Sequence, residues 1–176
     1  MAAALSAPLW DAWSKRAPPL ERLIRDARAL KAAVCARDPY ERLGDRRVLN
    51  FGHTFGHVLE SATSFRVSHG DAVGLGMLCA LDVGRALSAT PPQVAEQIEA
   101  GLYERAGVLP RSRLAAALSG VGDAQVAALL AADKKSDAPG ELRMVLAEEI
   151  GHAIVRPVPA HAWGLMLRAW RRGVRP

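Results

Sequence analysis

The chain has 176 residues, with 23 Lys+Arg against 18 Asp+Glu and a formal net charge of +5. Half of the residues are apolar and 23% are charged, which excludes a disordered chain and, at roughly 100–200 residues per domain, predicts one domain over residues 1–176. Two cysteines make no disulfide framework, no apolar run reaches the roughly 18–20 residues of a membrane span, and the opening MAAALSAPLW lacks the basic and apolar regions of a secretory signal.

Cys35 and Cys79 therefore read as reduced core thiols of a cytoplasmic protein. The positive charge is spread along the chain, and the one dense basic cluster is Arg168, Arg171, Arg172 and Arg175. Aromatic residues make up 5%, too few for a surface that stacks bases, yet composition alone does not choose between nucleic acid and a small anion. The motifs described below, not the composition, lead to the expectation of neither nucleic acid nor membrane as a partner. An anionic small molecule fits the positive balance at least as well.

Abundant Ala, Leu and Arg favour helix almost throughout. From Pro19 to Arg37, apolar residues recur at Leu20, Leu23, Ile24, Ala27, Leu30 and Val34, the stripe of an amphipathic helix. Asp38-Pro39 ends it, because a residue before proline is pushed out of the helical region. Arg42 to Arg47 reads as a loop, and a second helix is predicted from about Asn50 to Thr63. Ser68-His69-Gly70-Asp71 has the form of a capping box, with Ser68 as N-cap. The run VGLGMLCALDVGRAL that follows is apolar nearly all round and predicts a buried central helix.

Thr90-Pro91-Pro92-Gln93 opens another helix, predicted to end at Gly107, and shorter ones follow around Ser112–Leu118 and Ala124–Ala131. Leu142–Ala147 and His152–Val158, joined through Glu149-Ile150-Gly151, read as a β-hairpin. A last helix is predicted from Ala160 to Arg172, with Trp163, Leu167 and Trp170 on one side. The expected class is mainly α with a small β-hairpin near residues 142–158.

Leu49-Asn50-Phe51-Gly52-His53-Thr54-Phe55-Gly56-His57 holds most of the chemistry. On a helix, His53 and His57 project from one face, and His69 follows 16 residues after His53 at the start of the next helix. A helix, a reversal and a return can bring His53 and His69 together as metal ligands. Zinc catalysis generally uses three protein ligands, often two His and a carboxylate, with one position open. The alternative is a set of unrelated surface or core histidines. Gly52 and Gly56 tilt the balance, since each costs roughly 1 kcal/mol inside a helix and so implies close backbone approach.

Lys31 falls in register with the stripe of the first helix. A lysine on a buried face either binds an anion or snorkels to the domain edge, and periodicity leaves both open. Arg46 and Asn50 add donors suited to a carboxylate or phosphate, whereas Asp133-Lys134-Lys135 reads by itself as a solvated helix end. There is no P-loop, no H-E-x-x-H and no G-x-S-x-G, and no glycine-rich dinucleotide fingerprint follows a strand, so no cofactor-binding residue is assigned.

Together, Lys31, Glu41, Arg46, the N-F-G-H-T-F-G-H element, Glu60, His69-Gly70-Asp71-Ala72-Val73, Gly76-Met77 and Asp133-Lys134-Lys135 resemble the C-terminal half of the 3-dehydroquinate synthase family, over about residues 20–158. The resemblance implies a helical domain that packs on an NAD-binding α/β domain absent from this sequence. It also implies the conversion of 3-deoxy-arabino-heptulosonate 7-phosphate to 3-dehydroquinate and phosphate. That reaction uses NAD⁺ for a transient oxidation, then elimination, reduction, ring opening and aldol closure.

Carried over, His53 and His69 are zinc ligands, and His57 assists proton transfer beside the leaving phosphate. Lys31 and Glu41 join His57 in the catalytic set, with Glu41 one residue further from Arg46 than the family spacing. Lys31, Arg46, Asn50 and one of Lys134 and Lys135 bind the substrate's carboxylate and phosphate. Arg46, Asn50 and His57 together favour the dehydroquinate branch over cyclases whose substrates lack a carboxylate. The family's third zinc ligand, a glutamate upstream of the Lys31 position, is not in this sequence, nor is the nucleotide-binding half. The expected partners are an anionic sugar phosphate and a separate N-terminal nucleotide-binding chain or a further copy of this one. A catalytically inactive homologue kept as a binding or assembly module is the alternative.

Overall fold

The apolar run after Ser68 becomes the axis around which the other elements pack. The computed structural model describes residues 2–15, 18–40, 42, 44–104, 106–132, 141–159 and 170. In chain order it contains helices α1 (Ala7–Lys15), α2 (Leu20–Arg37), α3 (His53–Ala62), α4 (His69–Ala86), α5 (Pro92–Glu104), α6 (Arg111–Ala117) and α7 (Asp123–Ala132), then strands β1 (Glu141–Glu149) and β2 (His152–Pro159). Two 3-10 turns, Ala2–Leu5 and Asp45–Asn50, precede α1 and α3. The mainly α class with one antiparallel hairpin is as the sequence predicts.

Every residue of α4 from Ala72 to Gly84 is buried, which is why that segment shows no polar face. Its start is capped as predicted: the Asp71 amide donates to Ser68 Oγ at 3.2 Å, and the Ser68 hydroxyl donates to the Asp71 carboxylate at 2.6 Å. Phe51, Phe55 and Leu59 from the α3 region join Leu75, Leu78 and Leu81 of α4 in one core, all at 0% exposure. β1 lies against α4 and α5, contributing Leu142, Met144 and Leu146 to that core.

The one acidic residue in the buried part of α4 is fully engaged. Asp82 accepts from Trp170 Nε1 at 2.9 Å and from Arg85 at 3.4 Å, and Arg85 also donates to the buried Glu99 of α5 at 3.2 Å. Such a network is tolerated in a core because each charge has a partner. Trp170 also stacks edge-on against Phe55, with ring centroids 4.6 Å apart. The rest of the predicted last helix, including Trp163 and Leu167, lies outside the described residues.

Several sequence expectations are corrected. The α3 helix begins at His53 rather than Asn50, because Gly52 adopts a left-handed conformation (φ 83°) and serves as N-cap. Part of the predicted loop at residues 42–47 is a 3-10 turn from Asp45. Helix α5 stops at Glu104, before Gly107, where Val108 folds back to donate to the Leu102 carbonyl. Cys79 is buried but Cys35 is only half-buried. The N-terminal segment, for which no element is predicted, forms α1 and buries Leu9 and Trp10.

The largest correction concerns α2. Its stripe predicts a buried face, yet only Val34 is buried, with Leu20 67% and Ile24 48% exposed. Periodicity reports which residues share a face, not whether anything covers that face.

The contact between α3 and α4 depends on glycine. A Cβ on Gly76 would overlap the Gly52 carbonyl oxygen, and one on Gly52 would lie 2.6 Å from the Val73 carbonyl. The Gly76→Ala variant should therefore lose stability by about 1–3 kcal/mol or fail to fold, as overpacked cores do. Gly70→Ala, with nothing within 4 Å of the new methyl, should be neutral or stabilising by up to about 1 kcal/mol. Urea unfolding followed by circular dichroism separates the two outcomes.

Candidate functional site

The tight α3–α4 seam determines where the histidines lie. His53 opens α3 directly after the Gly52 cap, and His69 opens α4 directly after the Ser68 cap. Their ring centroids are 5.4 Å apart, and the His57 ring lies 5.6 Å from His53. The three imidazoles thus form one cluster, with His53 half-buried at its centre and His57 and His69 exposed.

Both rings of the proposed ligand pair have an acceptor at Nδ1. The Phe51 carbonyl lies 3.4 Å from His53 Nδ1, and Glu60 Oε1 lies 3.0 Å from His69 Nδ1. An acceptor at one ring nitrogen directs metal binding to the other, so the donor chemistry suits a cation bound through two Nε2 atoms. No group of three or more His, Cys, Asp or Glu side chains arranged for a metal occurs among the described residues. Imidazole nitrogens are a donor type that zinc accepts, and catalytic zinc commonly takes three protein ligands, so among the described residues this pair is not by itself a complete metal site.

His53 also lines a cavity of about 520 Å³ shared with Ile24, Arg28, Lys31, Arg46 and Asn50. Sites for small ligands commonly measure about 300–1,000 Å³. The sequence singles out Lys31, Arg46, Asn50 and His53, and the fold brings all four to this one cavity. Lys31 is exposed at its rim, not buried as its register with the stripe implies, since the α2 face opens onto the cavity. Arg46 donates to the Pro39 carbonyl at 3.3 Å, tying its guanidinium to the end of α2. Three cations around a concave wall create a positive potential that draws anions.

Two residues escape the site reading of the sequence. Arg28 reaches the same cavity, and its position one turn before Lys31 is a signal that could have identified it. Glu60 stands in the family pattern without an assigned role, yet it is the residue that contacts His69. Glu41, Lys134 and Lys135 lie outside the described residues, and His57 and His69 border the His53 ring without lining the cavity. Among the described residues no helix is long and apolar enough to cross a membrane.

Because Lys31 is exposed, Lys31→Ala should change unfolding free energy by no more than about 0.5 kcal/mol. The same change, and Arg46→Ala, should each weaken binding of inorganic phosphate by roughly tenfold, the effect of losing one charge-assisted hydrogen bond. Calorimetric titration and urea unfolding on the same samples check both numbers.

Residues 3–136 match the model of a family described as 3-dehydroquinate synthase C-terminal, so the match takes in α1, which the sequence resemblance leaves out. Among curated relatives, a 2-epi-valiolone synthase from Actinosynnema mirum is 41% identical over 139 residues, covering 78% of this chain and 35% of that protein. A 3-dehydroquinate synthase from Bradyrhizobium sp. is 40% identical over 139 residues, 77% of this chain and 36% of that one. Another, from Aeropyrum pernix, is 37% identical over 166 residues, 93% of this chain and 43% of that one. The crystal structure of 2-deoxy-scyllo-inosose synthase complexed with carbaglucose-6-phosphate, NAD⁺ and Co²⁺ shares the fold, with a TM-score of 0.65 at 22% identity over 88% of this chain and 41% of that chain. The chain spans between 35% and 43% of the length of these proteins.

Proposed function

The chain belongs to the 3-dehydroquinate synthase C-terminal family, and from that premise we propose that it forms the metal- and anion-binding half of a sugar-phosphate cyclase. The reaction is the conversion of 3-deoxy-arabino-heptulosonate 7-phosphate to 3-dehydroquinate and phosphate, completed by a nucleotide-binding half. The observation that carries this reading is His53, which belongs at once to the imidazole cluster and to the wall of the cationic cavity. A substrate held in that cavity would present its hydroxyls beside the ligand pair.

His53 and His69 would hold zinc with a carboxylate from outside the described residues. When bound, the metal supplies Lewis acidity toward the substrate hydroxyls, and NAD⁺ on the nucleotide-binding half supplies hydride uptake and return. Arg46 offers a planar, two-pronged donor for a carboxylate or phosphate, and the Asn50 amide adds a neutral donor beside it. Lys31, on its flexible stem at the rim, follows the second anionic group. His57 is exposed one turn beyond His53, so it can exchange protons with the departing phosphate and with solvent.

A substrate with both a carboxylate and a phosphate gives the cations of the cavity more than one anion to bind, which supports the dehydroquinate reaction. The similarity to a 2-epi-valiolone synthase supports a second reading, in which the substrate is a sugar phosphate without a carboxylate. A third, an inactive assembly module, draws on the exposed Leu20 and Ile24 of α2.

Mixing the purified chain with a nucleotide-binding half from a relative, plus zinc and NAD⁺, should restore phosphate release from the heptulosonate phosphate. His53→Ala should lower that rate beyond the roughly 10–100-fold that follows loss of an outer partner of a metal ligand. His57→Ala should lower it by about 10²–10⁴-fold, the range for a lost proton-transfer group. Release from a carboxylate-free heptulose phosphate alone would favour the second reading. A stable complex that releases no phosphate from either substrate would leave the assembly module.

A further inference from the structure

His69 is an exposed imidazole at a helix start, with a side-chain exposure of 62%, and such a ring has several rotamers open to it. Among the described residues it meets a carboxylate that is far less exposed: Glu60, at 12%, lies 3.0 Å from His69 Nδ1 across the α3–α4 turn. The nearby Asp71 carboxylate is turned to the hydroxyl of Ser68, 2.6 Å away, whose oxygen caps α4.

The turn between the two residues is held in a defined form. Phe65 donates its amide to the Glu60 carbonyl at 2.7 Å, the Thr63 hydroxyl donates to the Leu59 carbonyl at 2.7 Å, and Arg66 Nε donates to the Thr63 carbonyl at 3.0 Å. Ser64 and Phe65 both take left-handed backbone angles (φ 51° and 58°), which non-glycine residues adopt at an energetic cost and only where the surroundings impose it. A simple link between helix ends needs no such turn. This one keeps Glu60, in the last turn of α3, opposite the first residue of α4.

We propose that Glu60 is a positioning residue that accepts the Nδ1 proton of His69 and so holds the ring with Nε2 presented to the metal. This rests on the metal reading of His53 and His69, and extends it to a residue that touches neither metal nor substrate. Carboxylate–imidazole pairs of this kind fix the tautomer and raise ligand basicity, and their loss typically weakens metal affinity by about 10–100-fold.

The test uses the full chain and two readouts besides activity. Long-range ¹⁵N NMR of the metal-free protein, on the alkaline side of the imidazole titration, reports the His69 tautomer, and calorimetry with zinc alone reports affinity. Wild type should show His69 protonated at Nδ1. Glu60→Ala should shift the proton toward Nε2 and weaken zinc binding about 10–100-fold. Glu60→Leu fills a similar space with no acceptor oxygen, so it should shift the tautomer and weaken zinc binding in the same way, and it serves as the informative variant if the alanine form does not fold.

Unchanged tautomer and unchanged zinc affinity in both variants would overturn the proposal, since a merely structural ion pair would alter stability alone. Failure of the underlying metal reading has a different signature. In that case His53→Ala would leave zinc binding untouched, and the proposal would fall with it.

Discussion

Two helices can approach closely only where side chains are missing from their interface, and the α3–α4 seam meets that condition through Gly52, Gly56 and Gly76. Gly76 meets the Gly52 backbone directly, and a Cβ on Gly56 would lie 3.3 Å from the Ala72 backbone. The histidine geometry follows from this contact. His53 and His69 sit at the first positions of the two helices, and any side chain inserted in the seam would drive those starts apart. Packing and chemistry thus share one constraint: residues that would be poor choices for helix stability are the ones that bring the imidazoles together.

The rest of the core holds α4 still. The Asp82, Arg85 and Glu99 network, closed by Trp170, fixes the far half of the helix to α5 and to the Trp170 indole. Removing one member would leave a buried charge without compensation, an expensive defect, so the network opposes sliding of α4 along its neighbours. The hairpin closes another side, with Leu142, Met144, Val145, Leu146 and Ala147 of β1 buried in the same core. A rigid α4 presents His69 from a fixed base, and the turn that carries Glu60 then sets the ring itself.

Against this rigid frame, the α2 side is open. Leu20 and Ile24 are exposed, while Lys31, Arg28 and Arg46 border the cavity that His53 closes. A cationic cavity beside uncovered apolar residues is compatible with a cleft whose other wall another domain would supply. That arrangement agrees with a chain that spans little more than a third of several relatives. It supports the proposal that substrate binding is shared between two halves.

Much was readable from local sequence, because the physics involved is local. The all-round apolar run from Val73 marked α4 as buried, Ser68 and Asp71 marked its start, and two strand-like stretches joined through Glu149-Ile150-Gly151 marked the hairpin. The N-F-G-H-T-F-G-H element with the following H-G-D-A-V carried the family. What the tertiary structure decided depends on neighbours remote in sequence. Periodicity could show that Leu20, Ile24 and Lys31 share a face of α2, but burial requires a partner surface, and only the fold reveals that this face opens onto a cavity. Likewise, Gly52 and Gly56 signalled a close approach without naming Gly76 as its other side. Glu60 acquired its contact with His69 only through the left-handed turn at Ser64 and Phe65, a geometry that no residue preference announces.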